Sequence, residues 1–193
     1  MKTLSAPSFA NFSDYDLVKA LLLISSEPLG RNQLMKKLEL TEASTRSLMK
    51  KLAAAKFVKT TTKGISLNSA GAGFVNKIKG VLSGPVQINY GNFSIAFRIV
   101  NAASMVSVGL EQRDSAIRAG AAGCLVLVYR GNRLILPGGE GMENVYIDIF
   151  NGVSQNFKLA EGDAVIVAFA NAKRHAEIGA WAAAKTLLLA KNI

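Results

Sequence analysis

The apolar residues of this 193-residue chain change their spacing near residue 85. Before that point they recur at helical intervals, as in Leu17, Leu21 and Ile24, or Leu34, Met35 and Leu38. After it they gather into short β-prone runs such as Gly123–Tyr129 and Ala164–Ala170. A segment patterned for one period does not sit well in the other, so the chain is neither an all-helical bundle nor an all-β sandwich. The expected class is α+β. The length allows two small domains or one large one. Gly84-Pro85, a turn-type dipeptide at the change of pattern, marks a boundary between residues 1–84 and 85–193. With 50% apolar and 19% charged residues, the chain can bury a core and wholesale disorder is excluded.

Charge divides the chain at the same place. Lys and Arg number 23 against 13 Asp and Glu, a net charge of +10, which favours an anionic partner such as nucleic acid or an acidic membrane surface. Residues 1–84 hold 13 basic and 5 acidic side chains, and residues 85–193 hold 10 and 8. Most of the excess lies between Arg31 and Lys63. A basic binding module joined to a near-neutral domain is the simplest reading.

One Cys and one His exclude other chemistry. Cys124 alone makes no intrachain disulfide or Cys-rich zinc site, and His175 alone supplies no His-based metal cage. No metal and no cofactor are expected, and the default compartment is reducing and cytoplasmic. The first 16 residues lack the apolar core of a secretory signal. The apolar stretches Leu17–Ile24 and Ile178–Ala190 carry Lys19 and Lys185 and fall short of the roughly 20 residues a membrane span needs, so no membrane partner is expected.

In the first half, Ser13 or Asp14 can cap a helix through Tyr15–Ile24, which Pro28-Leu29-Gly30 stops. A short helix follows over Asn32–Leu38, and Thr41-Glu42 caps a third that runs to about Lys56. Phe57–Leu67 reads as two β-prone runs around a basic, Gly-containing turn, and a fourth helix runs from Ser69 or Ala70 to about Leu82. The stretch LMKKLELTEASTRSLMKKLAAAKFVKTTTKGISLNSAGAGFV resembles the winged helix-turn-helix of prokaryotic transcription regulators, with every element in order. The resemblance puts Leu38, Leu40, Thr45, Leu48, Leu52 and Phe57 in the core. It puts Thr41, Glu42, Ser44, Arg46, Ser47, Lys50 and Lys51 on the outward side of the third helix, facing a major groove. Thr41 and Ser44 suit phosphate or base-edge hydrogen bonds, Arg46 a guanine, and Lys50 and Lys51 phosphates; Ser47 lies on the same face. Lys59 and Lys63 on the hairpin would reach adjacent backbone or the minor groove. Glu42 departs from this pattern, since it favours the helix dipole but repels a phosphate.

In the second half, Val86–Tyr90 and Ser94–Val100 flank Gly91-Asn92, and Gly123–Tyr129 and Arg133–Leu136 flank Gly131-Asn132; both read as hairpins. Leu110–Ala119 reads as a helix ended by Gly120, Val145–Phe150 as a strand, and Ala164–Ala170 as an apolar strand leading through Asn171 into a long helix, Ala172–Lys191. The segments GLEQRDSAIRAGAAGCLVLVYRGNRLILPGGE and GDAVIVAFANAKRHAEIGAWAAAKTLLLA resemble the C-terminal domain of an archaeal family of uncharacterised two-domain proteins that carry a winged helix in front of it. The resemblance implies an architecture and a role in transcription regulation, with no catalytic residue to carry over.

Three groups in this half are candidate ligand sites. Glu111, Arg113 and Asp114 cluster at the start of a helix, where capping and ion pairing are the bland alternative. Gly138, Gly139 and Glu140 lie in a Gly-rich loop whose bare amides could cradle an anion, though it lacks the full phosphate-loop or dinucleotide pattern. Asn171 marks a strand-to-helix junction crowded by Lys173, Arg174 and His175. His175 reads as a surface residue, Cys124 as core, and Trp181 as either a core or a dimer anchor.

No Ser-His-Asp set or metal cluster is present in the sequence, so no catalytic residue is assigned and an enzyme is disfavoured. The leading expectation is a DNA-binding transcription regulator. Its partners would be double-stranded DNA, a small-molecule effector and a second copy of itself in a homodimer. The alternatives are a metabolite-binding protein or enzyme with an accessory winged helix, and an RNA- or protein-interaction module.

Overall fold

The computed structural model describes residue 6 and residues 11–191. The chain divides into two compact units, Met1–Lys79 and Gly80–Ile193.

The first unit is mainly helical. Helix α1 (Asp14–Ile24) starts at Ser13, whose hydroxyl accepts from the Asp16 amide while the Asp16 carboxylate accepts from the Ser13 amide at 2.6 Å. This reciprocal capping box satisfies two amides that the first helical turn leaves unpaired. Helix α2 (Arg31–Leu38) ends where Glu39 turns left-handed, and α3 (Glu42–Ala54) is capped by Thr41. Leu17, Leu21, Leu34, Leu38, Leu48 and Leu52 close one apolar core between the three helices.

Strands β1 (Val58–Thr61) and β2 (Gly64–Leu67) form the expected hairpin. It is sewn to the α1–α2 connection by two mutual bonds between Leu29 and Ile65, each 3.0 Å. Gly64 makes that seam feasible. It sits at φ +127°, and a Cβ there would lie 2.4 Å from the Leu29 carbonyl. Helix α4 (Ser69–Val81) follows, its Phe74 ring against Phe57.

The second unit is built on a five-stranded antiparallel sheet in the order β3-β4-β7-β5-β6. Its strands are β3 (Leu82–Ile88), β4 (Phe93–Ile99), β5 (Gly123–Arg130), β6 (Arg133–Ile135) and β7 (Ala164–Ala170). Central β7 is the apolar run of the sequence, and Ala164–Ala168 are all buried, as a strand covered on both faces requires. Gly84-Pro85 lies within β3, at a bulge between Ser83 and Val86, and is not a turn between the halves. Proline fits this edge strand because the bulge asks nothing of its missing N–H.

Helices α5 (Leu110–Arg118) and α7 (Lys173–Ala190) pack together and against β5, β4 and β7. The small residues of α7 allow the approach: a Cβ on Gly179 would meet Ala121 Cβ at 2.6 Å. Trp181 is buried, edge-on to Phe97 at 6.3 Å, and so belongs to the core.

Val145–Phe150 is not a strand. Ile147–Asn156 forms helix α6, with Ile149, Phe150 and Val153 packed on Ile88, Leu127, Val165 and Val167 across the opposite face of the sheet. The alternation Val-Tyr-Ile-Asp-Ile imitates a strand. The spacing of Ile149, Phe150 and Val153 decides otherwise, because it places three buried side chains on one helical face. Val145 and Ile147 are left exposed.

Candidate functional site

The residues expected on the outer side of α3 do not all stand alike. Ser44 is buried at 5% exposure, its hydroxyl 2.8 Å from that of Thr41, so it braces the helix cap and does not face outward. The cause is the helical period: Ser44 falls four and eight residues before Leu48 and Leu52, on the inward face of α3, and Thr41 Oγ1 accepts its amide at 3.2 Å. Thr41 is exposed, but its hydroxyl is already used in this way. Arg46, Ser47 and Lys50 are exposed, Lys51 is half-buried, and Lys59 and Lys63 are exposed on the hairpin.

Arg46, Met49, Lys50 and Ala53 share one face of α3, at intervals of three and four residues. Together with Gly30, Arg31, Asn32 and Gln33 at the start of α2, and Thr60 and Ile65 of the hairpin, they line an open concavity of about 680 Å³. Arg31, Arg46 and Lys50 supply its charge. Two ion pairs organise the rim, since Glu42 Oε1 accepts from Arg46 Nη2 at 3.0 Å and lies 3.3 Å from Arg31 Nη2. Arg31 escaped the sequence reading. It stands on another helix, outside the period of α3, and only the excess of basic residues from Arg31 onward hinted at it.

In the second unit, α5, β5 and the segment after β6 enclose a recess of about 410 Å³. Val108, Leu110, Val126 and Leu136 make its walls apolar, and Arg113 is the charged residue that lines it. Strand β6 pairs only with Val128–Arg130, so Gly123–Leu127 of β5 has a strand partner on the β7 side alone, and the recess lies along Cys124–Val126. Of the expected ligand residues, Arg113, Gly138 and Gly139 come together here. Glu111, Asp114, Glu140 and Asn171 are not part of the lining. Asp114 instead lies 3.6 Å from Arg113 on the exposed side of α5, and Asn171 accepts from Asn92 at 3.3 Å. The clusters read along the chain are thus split by the fold, because neighbours on a helix point different ways.

Cys124 lines the recess and is itself buried. Burial pushes its thiol up to about 12, since the thiolate would lose its hydration. His175 is exposed, as expected. Among the described residues, no group of three or more His, Cys, Asp or Glu is placed to hold a metal ion, and no helix is long and apolar enough to cross a membrane.

Residues 90–187, just over half of the chain, match the family model described as "Domain of unknown function (DUF4443)". The chain belongs to this family. In the fold above, the DUF4443 match runs from the β3–β4 turn to near the end of α7, and so takes in the recess. Residues 15–73 match a second model, "PH0730-like, N-terminal domain", which spans α1 to the first turn of α4 and takes in the concavity. The two-domain architecture is shared with a solved structure, "Hypothetical protein PH0730 from Pyrococcus horikoshii OT3". That protein is 27% identical, with a TM-score of 0.74 over 94% of this chain and 95% of its own. No curated protein matches this chain.

Proposed function

We propose that this DUF4443 protein is a DNA-binding transcription regulator whose first unit is a winged helix-turn-helix. Helix α3 enters the major groove, and the β1–β2 hairpin is the wing that rests on the backbone. One observation carries the reading: Arg31, Arg46 and Lys50 converge on a single concavity between α2, α3 and the hairpin, in the half of the chain that holds most of the positive charge. A surface kept basic only for solvation has no need to gather its cations on one concave face. Lys59 and Lys63 extend the basic character along the hairpin, and Ser47 offers a neutral hydrogen-bonding group beside Arg46.

In this proposal the second unit senses a small molecule or mediates dimerisation. The recess beside β5 supports sensing, because it offers apolar walls, one guanidinium and a volume within the range of roughly 300–1,000 Å³ typical of ligand sites. A symmetric homodimer would set two α3 helices about 34 Å apart on one face of a duplex. A metabolite enzyme with an accessory winged helix would be better supported by a pocket holding Arg113, Asp114 and Glu140 together, and of these the recess is lined by Arg113 alone.

The test is binding of a labelled DNA duplex by fluorescence anisotropy across a salt series, with RNA as competitor. The wild-type chain is expected to bind with an affinity that falls steeply as salt rises, because lysine and arginine release counterions from phosphates. Arg46→Glu/Lys50→Glu should abolish this binding. Absence of binding at low salt, survival of binding in the double variant, or preferential capture by structured RNA would overturn the proposal.

A further inference from the structure

The geometry points to a phosphate site that no single helix carries: we infer that Arg31 and Arg46 form a clamp for one backbone phosphate, and that the Glu42 carboxylate fills this clamp while the protein is unbound. The inference rests on the DNA-binding reading above and adds to it a site, its resident surrogate and a consequence for affinity.

Two arginines from different helices approach one oxygen atom. Arg46 Nη2 donates to Glu42 Oε1 at 3.0 Å, and Arg31 Nη2 lies 3.3 Å from the same oxygen. Two guanidinium groups repel each other, so their convergence needs an anion between them. A carboxylate and a phosphodiester each carry one negative charge, and each presents oxygens that arginine binds in the same forked geometry. An arrangement that receives one therefore receives the other.

The surroundings make exchange feasible. Both arginines line the concavity with Lys50, whereas Glu42 does not line it. The carboxylate approaches the pair from the rim, at the first residue of α3. Its side chain is 55% exposed, and the arginines are 44% and 57% exposed. Ion pairs this open are weak and exchange readily. An incoming phosphate can take the arginines while Glu42 turns to solvent, where the positive end of the α3 dipole still favours it.

The displaced carboxylate remains near the phosphate, so it weakens binding twice, by competing beforehand and by repelling afterwards. Glu42 thus acts as a built-in brake on non-specific binding, which depends on phosphates alone.

The experiment uses the full chain and a labelled random-sequence duplex, with anisotropy read across a salt series. Glu42→Gln keeps the size of the side chain and removes its charge. It is expected to tighten binding about three- to ten-fold and to steepen the slope of log affinity against log salt by about one. Glu27→Gln makes the same change in net charge on the exposed α1–α2 connection and should leave both readings near wild type. In an Arg31→Gln/Arg46→Gln background, Glu42→Gln should bring no gain, since the groups it frees are gone. Circular dichroism melting of each variant reports that it is folded.

If the wild type binds but Glu42→Gln does not tighten binding, the surrogate is refuted and the DNA-binding reading stands. Equal gains from Glu27→Gln, or a gain that persists without the two arginines, refute it in the same way, since both mark a general effect of charge. If neither wild type nor Glu42→Gln binds, both proposals fall.

Discussion

Each unit of the molecule holds a carboxylate between partners, and the two settings are opposites. In the first unit Glu42 pairs with Arg31 and Arg46, all three side chains being about half exposed. In the second, Asp163 is 1% exposed and fully engaged. Its Oδ2 accepts from Arg98 Nε at 2.6 Å and from the Ala160 amide at 2.8 Å, while Oδ1 accepts from the Asn101 amide at 3.0 Å. The buried group locks the loop before β7 to the end of β4. The exposed group holds two cations ready at the edge of a concavity. The same pairing chemistry builds a framework in one place and an exchangeable contact in the other, and solvent access makes the difference.

The largest effect expected on stability follows from breaking the buried arrangement. Asp163→Ala leaves Arg98, 17% exposed, without its counter-ion and removes the acceptor of two amides. The loss should be about 3–5 kcal/mol. Urea denaturation followed by the fluorescence of Trp181, the single tryptophan, reads the second unit directly. Glu42→Gln, followed by the circular dichroism of the mainly helical first unit, should cost less than about 1 kcal/mol. Equal losses would erase the contrast between the two sites.

Binding gives the contrast in reverse. Arg46→Glu/Lys50→Glu should abolish duplex binding at moderate salt, a loss of at least about a hundredfold, by reversing two charges that line the concavity, while leaving thermal stability near wild type because both side chains are exposed. Asp163→Asn, which keeps the shape of the side chain, should leave duplex affinity near wild type. Gly64→Ala lies between these cases. It sets a Cβ against the Leu29 carbonyl at a backbone angle that favours glycine, so it should cost about 1–3 kcal/mol. It should also weaken binding, because the seam it strains holds the hairpin wall of the concavity. Melting and anisotropy on one sample would separate the two effects.

How far these arrangements were legible in the sequence follows from their range. Helices α1 to α4, the hairpin and the apolar β7 could be read because each is specified by spacing within its own segment. Ser44 departs from the outward face although it shares the spacing of Leu48 and Leu52, because a polar residue in the first turn of a helix reads as surface when its hydroxyl can instead be satisfied by the cap residue Thr41. Helix α6 was misread because Val145–Ile149 alternates, and only the pairing of the sheet shows that the space there is a face to be covered. Arg31 with Glu42, and Arg113 with Gly138 and Gly139, are meetings between elements that no local period encodes. The Glu111, Arg113 and Asp114 group failed for the converse reason, since residues close in sequence part company around a helix.

The effect that is smallest at neutral pH concerns the thiol at the recess, and its sign can be worked out. Cys124 has an ordinary value of 9.0 that burial pushes up to about 12 in the folded chain. An acid whose folded value is raised keeps its proton longer in the native state than in the unfolded one. Below 9 both states carry the protonated thiol, so Cys124 contributes nothing to the pH dependence of stability. Between 9 and about 12 the unfolded chain releases a proton that the folded chain retains, and stability falls as pH rises. Other groups titrate in this range, so the comparison must be between wild type and Cys124→Ala. Their difference in melting temperature should be constant up to pH 9 and should then shrink, as wild type loses about tenfold in its folding equilibrium for each further pH unit. A thiol reagent at neutral pH should react with the native chain only on the timescale of unfolding, since burial withholds both the thiolate and access to it. Rapid labelling of the native chain would place Cys124 within reach of solvent. The thiol would then face the recess as a reactive group, and its place in the core would need revision.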